Sequence, residues 1–281
     1  MIALCPNPFR DHELALTRRL EALLQGDGFQ THICPVFAEE DPAALPEGPR
    51  YYPLESCGED CSLAIVIGGD GTILAVVRAL HGRSIPLLGI NLGTKGFMTA
   101  LEPDDFQLAV RAAHGEMPVR RRMMLDMTLY RDGQAIYADH ALNDVVLHGY
   151  GDCIKLTAKC SGDTIIDFSG DGIILATPTG STGYSMSAGG PIVEPEASNI
   201  ILTPICAHQI GARSFVLDPQ RTVTVRAEKL HSRRAYLSVD GTSVADLANG
   251  DEIAVSKSFH DTLMVDSGLK SFYEIAYQKL I

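Results

Sequence analysis

Residues 63–67, Leu-Ala-Ile-Val-Ile, are apolar at every position, which predicts a parallel strand buried on both faces. The chain runs from it directly into Gly68-Gly69-Asp70-Gly71-Thr72 and then into helically spaced apolar positions over 73–80. The same alternation surrounds this unit. Residues 2–5 are a short apolar run stopped by Pro6-Asn7-Pro8, a strand and then a turn. Leu14, Leu20, Leu23 and Leu24 fall on one helical face over 11–25, and Gly26 and Gly28 end that helix. Residues 31–37 predict a second strand, 41–58 a loop, and 85–90 a further strand before Asn91-Leu-Gly-Thr-Lys-Gly-Phe97. Strand and helix in this order predict an open parallel α/β sheet.

A helical stretch near 103–115 closes that pattern. From Val119 to about Ser258 the segments are short, alternating and β-rich, and Asp132-Gly133, Asp171-Gly172, Asp240-Gly241 and Asn249-Gly250 punctuate them. Residues 223–225, 235–239 and 252–255 read as strands between turns, so a second, β-leaning domain follows the first. The last twenty residues, from Thr262, are mixed, and their pattern does not assign them to either domain.

Composition narrows the class. With 46% hydrophobic and 21% charged residues, the chain is an ordinary globular one, with too much core for intrinsic disorder. Its apolar runs span about five residues against the roughly twenty a membrane helix needs, and no signal-peptide pattern opens it. The expectation is a cytoplasmic protein. The formal charge of −12 argues against a nucleic-acid or anionic-membrane partner. The basic run Arg120-Arg121-Arg122 reads as a solvated strand end, with Arg233-Arg234 a weaker second. Anion binding by such a chain has to lean on backbone amides and a metal.

The seven cysteines read as reduced thiols, with Cys5, Cys34 and Cys206 in apolar contexts. Cys57 and Cys61 lie four apart in a polar loop, but no second close pair follows, and the histidine spacing holds no metal signature. No metal site is expected on the protein itself.

Three segments can carry chemistry. Gly68-Gly69-Asp70-Gly71-Thr72 stands at the carboxyl end of a buried parallel strand, where ligands of open α/β sheets bind. Its glycines let backbone approach a ligand, and the following helix offers free N–H groups. A carboxylate there would repel phosphate, so Asp70 suits orienting or deprotonating a hydroxyl, or acting through Mg²⁺; a tight turn with a capping aspartate is the plainer alternative. The second segment runs Gly170-Asp171-Gly172 through Thr177-Pro-Thr-Gly-Ser-Thr-Gly-Tyr184-Ser-Met-Ser187 to Gly189-Gly190-Pro191, an apolar strand followed by hydroxyls and glycines suited to ribose and phosphate. It has no Gly-x-Ser-x-Gly elbow, which argues against a serine hydrolase. In the third, Asn143-Asp144 interrupts an apolar run, which requires partners in a turn or in a polar ligand.

Taken together and in order, these blocks resemble the bacterial and archaeal NAD kinases along nearly the whole chain. The blocks are 68–72, 91–97, 143–144, 171–191, and Leu202-Thr-Pro-Ile-Cys206 with His208. The resemblance implies transfer of the γ-phosphoryl group of ATP to the adenosine ribose 2′-hydroxyl of NAD, with Mg²⁺ carried by ATP, in a homodimer or homotetramer. It implies an N-terminal Rossmann-like α/β domain over 1–101, rejoined by 262–281, and a β-sandwich-like NAD-binding domain over 102–261, with the active site between them. Carried over by position, Asp70 is the proton acceptor, with Gly71 beside the ligand, and Phe97 packs on a base. Asn143 and Asp144 hold ribose and nicotinamide-side groups. Asp171, Thr182, Gly183, Tyr184 and Ser187 bind the adenine half, and Gly68, Gly69 and Thr72 bind phosphate. The chain departs from the family at Gly183 (usually Ala), Asp144 (more often Glu), and Ser169, where an arginine often precedes the aspartate; the last bears on NAD against NADH and ATP against polyphosphate. Two other readings share parts of the pattern: a lipid or sugar kinase with the same glycine loop, and a non-catalytic dinucleotide sensor.

Overall fold

The protein is described by a computed structural model that covers residues 1–37, 45–58, 60–80, 82–93, 96–209 and 211–280. It divides into two compact units, Met1–Arg121 with Thr262–Ile281, and Arg122–Asp261.

In the first unit, β1 (Ile2–Pro6) is followed by α1 (Ala15–Gly26), β2 (Thr31–Ile33), β3 (Leu63–Gly68), α2 (Asp70–Leu80), β4 (Leu87–Asn91) and α3 (Ala109–Ala113). The strands lie in the order β2-β1-β3-β4, all parallel. β1 and β3 are buried at every position, as strands covered on both faces must be. The start of α1 is fixed by Asp11, whose buried carboxylate accepts from the Leu16 and Thr17 N–H groups and the Thr17 hydroxyl at 2.6–2.9 Å.

Two sequence expectations are adjusted. The strand expected over 31–37 ends at Ile33. Cys34 and Val36 still donate to β1 carbonyls, but Pro35 has no N–H to give and Phe37 turns to φ 63°. The helix expected from 73 begins at Asp70, which puts that carboxylate in its first turn. Part of the 41–58 loop, residues 41–44, lies outside the described residues.

The second unit is built from β5 (Val119–Arg131), β6 (Gln134–Ala141), β7 (Asp144–Gly149), β8 (Ile154–Cys160), β9 (Asp163–Gly170), β10 (Gly172–Ala176), the short α4 (Tyr184–Ser187), β11 (Ile200–Ile205), β12 (Phe215–Leu217), β13 (Val223–Glu228), β14 (Ala235–Val239), β15 (Thr242–Leu247) and β16 (Glu252–Val265). β12-β11-β10-β7-β14-β15 form one antiparallel sheet, and β9-β8-β13-β16 pair antiparallel as well. Their inward faces share one core around Leu147, Leu156, Phe168, Leu202 and Val225. The first three residues of β5, the end of β16 and α5 (Phe272–Leu280) belong to the first unit. The α/β-then-β fold class read from the sequence is what the chain adopts.

All seven cysteines are free. Cys57, expected in a polar loop, is fully buried with its Sγ 3.5 Å from that of Cys34. Cys206, expected in an apolar setting, is exposed, because the chain leaves β11 there at φ 46°.

Candidate functional site

The first group of site residues gathers where β3 passes into α2. Asp70 is the first residue of that helix, at the positive end of the helix dipole; the Gly69, Thr72 and Ile73 N–H groups are bonded within the turn, and among the described residues those of Asp70 and Gly71 have no acceptor. The carboxylate is fixed by the segment after β4: the Phe97 N–H donates to Oδ2 at 2.8 Å and the Met98 N–H to Oδ1 at 3.1 Å. Any side chain at Gly96 would overlap Asp70, so that glycine is required by close approach. Each carboxylate oxygen keeps a further acceptor site, so Asp70 is oriented yet able to take a proton. A cavity of about 250 Å³ opens here. It is lined by Asp70, by Gly69, Gly71, Gly93 and Gly96, and by two cationic residues, Arg10 and Lys279.

Gly68 and Thr72, expected to bind phosphate, do not line this cavity. Thr72 is buried and its hydroxyl accepts from the Gly69 N–H and the Asn7 amide at 3.3 Å each. The side chain thus braces the loop from within. Phe97 is half-buried, and the Lys279 ammonium sits 4.1 Å from its ring centroid. Residues 94 and 95 of the 91–97 segment lie outside the described residues.

The second group lies in the β-rich unit. Asn143 and Asp144 stand at the entry to β7, and the turn after β14 holds them. Asp240 Oδ1 accepts from the N–H groups of Asn143 (2.7 Å) and Asp144 (3.0 Å), and Oδ2 accepts from that of Leu142 (2.8 Å). The Asp240 N–H returns a bond to the Asp144 carbonyl at 3.0 Å. On the other side Thr177 donates its hydroxyl to Leu142 and its N–H to Asn143, and Gly180 packs so close to the Asn143 carbonyl that no side chain fits. The backbone at 142–144 is therefore pinned from two strands. The side-chain oxygens of Asn143 and Thr179 are buried without a hydrogen-bond partner among the described residues. Such groups call for a ligand or water, and this supports the ligand alternative for Asn143.

Burial, and then the neighbouring Asp240 charge, push the Asp144 carboxyl up to about 7. Burial also raises Asp240, while its three N–H bonds work the other way. A carboxyl raised in the folded state takes up a proton that the unfolded chain has released. Its contribution is therefore fully present below about pH 4 and is lost as pH rises through about 7. Asp144→Asn removes that loss. The variant is expected to gain on wild type by about 2–3 kcal/mol between pH 5 and pH 8. Melting temperatures measured at both pH values check this; a pH-independent difference would contradict it.

Asp171 joins β9 to β10, and its carboxylate accepts from the Cys206 thiol. Tyr184 begins α4, 41% exposed, with its ring 6.5 Å from that of His148 and nearly parallel to it. Burial first, then the charges of Tyr236, Cys206, Asp171 and Asp144, raise the Tyr184 hydroxyl. Tyr184 thus stands amid the polar groups named from the sequence. Thr182 donates to the Thr179 carbonyl at 3.2 Å, Gly183 lies against the Asn143 side chain, and Ser187 is exposed.

Within the first unit, the structure brings together Gly69, Asp70 and Gly71 and ties Phe97 to them. Within the second it brings together Asn143, Asp144 and the Gly180–Tyr184 turn. The sequence reading missed Asp240, Arg10 and Lys279. For Asp240 the one available signal was Asp-Gly, which reads as a turn; Arg10 follows a Pro-containing turn and Lys279 ends a helix, with no pattern around either.

Comparison with known proteins places the chain in a family. The ATP-NAD kinase N-terminal domain matches residues 21–116 and the ATP-NAD kinase C-terminal domain matches 142–267. A curated relative named NAD kinase from Natranaerobius thermophilus is 35% identical across 99% of this chain and 97% of its own. One from Acetivibrio thermocellus is 36% identical across 99% and 96%. Among solved structures, yeast NADH kinase complexed with NADH covers 97% of this chain and 84% of its own, with a TM-score of 0.84 and 26% identity. An NAD kinase from Archaeoglobus fulgidus in complex with ATP covers 98% and 99%, with a TM-score of 0.75 and 26% identity. With both domains matched in order and relatives above 30% identity over nearly the full length, the chain belongs to the NAD kinase family.

Proposed function

We infer that the protein is an ATP-dependent NAD kinase, with Asp70 as the group that activates the acceptor hydroxyl. The observation that carries the residue assignment is the pair of amide bonds that aims the Asp70 carboxylate at a glycine-lined cavity. The 2′-hydroxyl of the adenosine ribose gives its proton to Asp70 as the O2′–Pγ bond forms. The bond from Pγ to the β,γ-bridging oxygen breaks, and ADP leaves. Phosphoryl transfer asks chiefly for positioning and for neutralisation of spreading charge. The N–H groups of Asp70 and Gly71 at the start of α2 supply part of that, and Mg²⁺, which enters as part of the MgATP substrate, screens the phosphate charge. Gly68 and Thr72 shape the loop.

In the β-rich unit, Asn143 and Asp144 are the groups for ribose and nicotinamide-side recognition. The unpartnered Asn143 oxygen supports this. Asp171, Thr182, Gly183, Tyr184 and Ser187 take the adenine half, with the exposed Tyr184 ring as the stacking surface. Phe97 packs on a base. Phe97→Ala is expected to raise KM for NAD by about tenfold with a smaller change in kcat. Steady-state kinetics checks this, and a kcat loss at unchanged KM would refute the packing role. Assembly as a homodimer or homotetramer follows the family resemblance, and a cytoplasmic location follows the composition. No helix among the described residues is long and apolar enough to cross a membrane.

The test is transfer of label from γ-³²P-ATP. Label should pass to NAD and stay absent from diacylglycerol, glycerol and free sugars offered in the same assay. Labelling of a lipid or sugar in preference to NAD would replace this reading with the lipid or sugar kinase.

A further inference from the structure

The cavity at the start of α2 contains more positive charge than the glycine loop alone explains. We propose that Arg10 and Lys279 seat the phosphates of the phosphoryl donor there. The proposal rests on the kinase reading and deepens it by assigning side chains to donor binding.

The position of Arg10 follows from the strand order. β1 lies between β2 and β3. The chain leaves β1 through α1 towards β2, while β3 feeds α2. Diverging connections at the carboxyl ends of two neighbouring strands leave a crevice, the usual ligand position in open α/β sheets. The turn after β1 is locked to the end of β3: the Asn7 N–H donates to Ile67 at 2.9 Å and the Asn7 amide to the Thr72 hydroxyl at 3.3 Å. The Asn7 carbonyl then accepts from Arg10 and Asp11, and its side-chain oxygen from Phe9. A closed turn fastened to the glycine loop thus carries Arg10 to the cavity wall.

Lys279 arrives from the opposite end of the sequence, on α5. Its ammonium lies over the Phe97 ring, and the Phe97 N–H holds Asp70. Among the described residues neither Arg10 nor Lys279 has a carboxylate partner within ion-pair distance, in a chain with 35 acidic and 23 basic residues. Two such cations on a wall whose other described residues are glycines and one carboxylate match a polyanion. The cavity of about 250 Å³ has room for phosphate groups. The Arg10 fork can grip two oxygens of one phosphate, and Lys279 acts as a point charge.

Initial rates with each substrate varied in turn, for Arg10→Gln, Lys279→Gln and the conservative Arg10→Lys and Lys279→Arg, test this. Calorimetric binding of inorganic tripolyphosphate to each protein supplies a readout independent of turnover. Each Gln variant should raise KM for MgATP and weaken tripolyphosphate by about tenfold or more, with KM for NAD within about twofold. Lys279→Arg should restore most of both. Unchanged KM for MgATP and unchanged tripolyphosphate affinity in variants that melt like wild type would overturn the proposal. So would a Lys279→Gln variant that raises KM for NAD instead, as Phe97→Ala is expected to, because Lys279 would then only brace that ring. If wild type formed no NADP but its tripolyphosphate binding still depended on both cations, the kinase reading would fail and the phosphate seat would stand.

Discussion

Asp70→Asn is expected to lower kcat by about 10²–10⁴-fold, the usual worth of a positioned general base, while NAD and MgATP still bind within a few-fold of wild type. Asparagine matches the shape of aspartate and can accept from one of the Phe97 and Met98 amides, but its NH₂ faces the other. The lost hydrogen bond costs about 1–3 kcal/mol locally, which a core containing Ile65, Ile67, Leu88 and Ile90 tolerates. What asparagine cannot do is accept the hydroxyl proton. Single-turnover rates together with calorimetric affinities separate the two effects. Near-wild-type kcat would show that the proton goes elsewhere, and equal loss of binding and turnover would mean that Asp70 shapes the loop only.

Asp240→Ala should have the next largest effect, through a residue expected to touch no substrate. It strips three acceptor bonds from the backbone at 142–144. Buried N–H groups left unsatisfied cost about 1–3 kcal/mol each. Unlocking this turn displaces the Asn143 and Asp144 side chains together. We expect kcat/KM for NAD to fall by about 100-fold or more, with KM for MgATP little changed, and the melting temperature to drop. Asp240→Asn is the control. Its carbonyl oxygen can keep the two bonds made by Oδ1 while losing the one to Leu142, so it should recover much of the activity. It also removes the charge that helps raise the Asp144 carboxyl, so the apparent pKa near 7 should shift down. A folded Asp240→Ala protein with unchanged KM for NAD would show that the turn does not position the NAD-binding groups.

Much of this was legible because it is local. The apolar run at 63–67 had no wet face to offer and became the fully buried β3, and the glycines after it marked the place where backbone meets a ligand. Asn143-Asp144 stood out as a polar cost inside an apolar run, and the structure shows part of that cost still unmet at the Asn143 oxygen. What escaped the sequence is what depends on distant partners. Asp240 lies almost a hundred residues beyond the turn it holds, and Asp-Gly announces only its own bend. Arg10 and Lys279 come from opposite ends of the chain, and only the parallel order of β1 and β3 and the packing of α5 bring them to one cavity. Burial of Cys57 was hidden for the same reason: its neighbours in sequence are polar, while its neighbour in space is Cys34. The overlong second strand was a local error, in which Pro35 should have carried more weight than the apolar residues around it.

The most direct test of the central claim is the formation of NADP by purified protein given NAD, ATP and Mg²⁺, followed through an NADP-specific dehydrogenase while ADP is measured in parallel. One NADP is expected for each ADP, sustained over many turnovers. Binding of NAD and ATP with neither product formed, whatever phosphoryl donor is supplied, would contradict it and leave a dinucleotide sensor in its place.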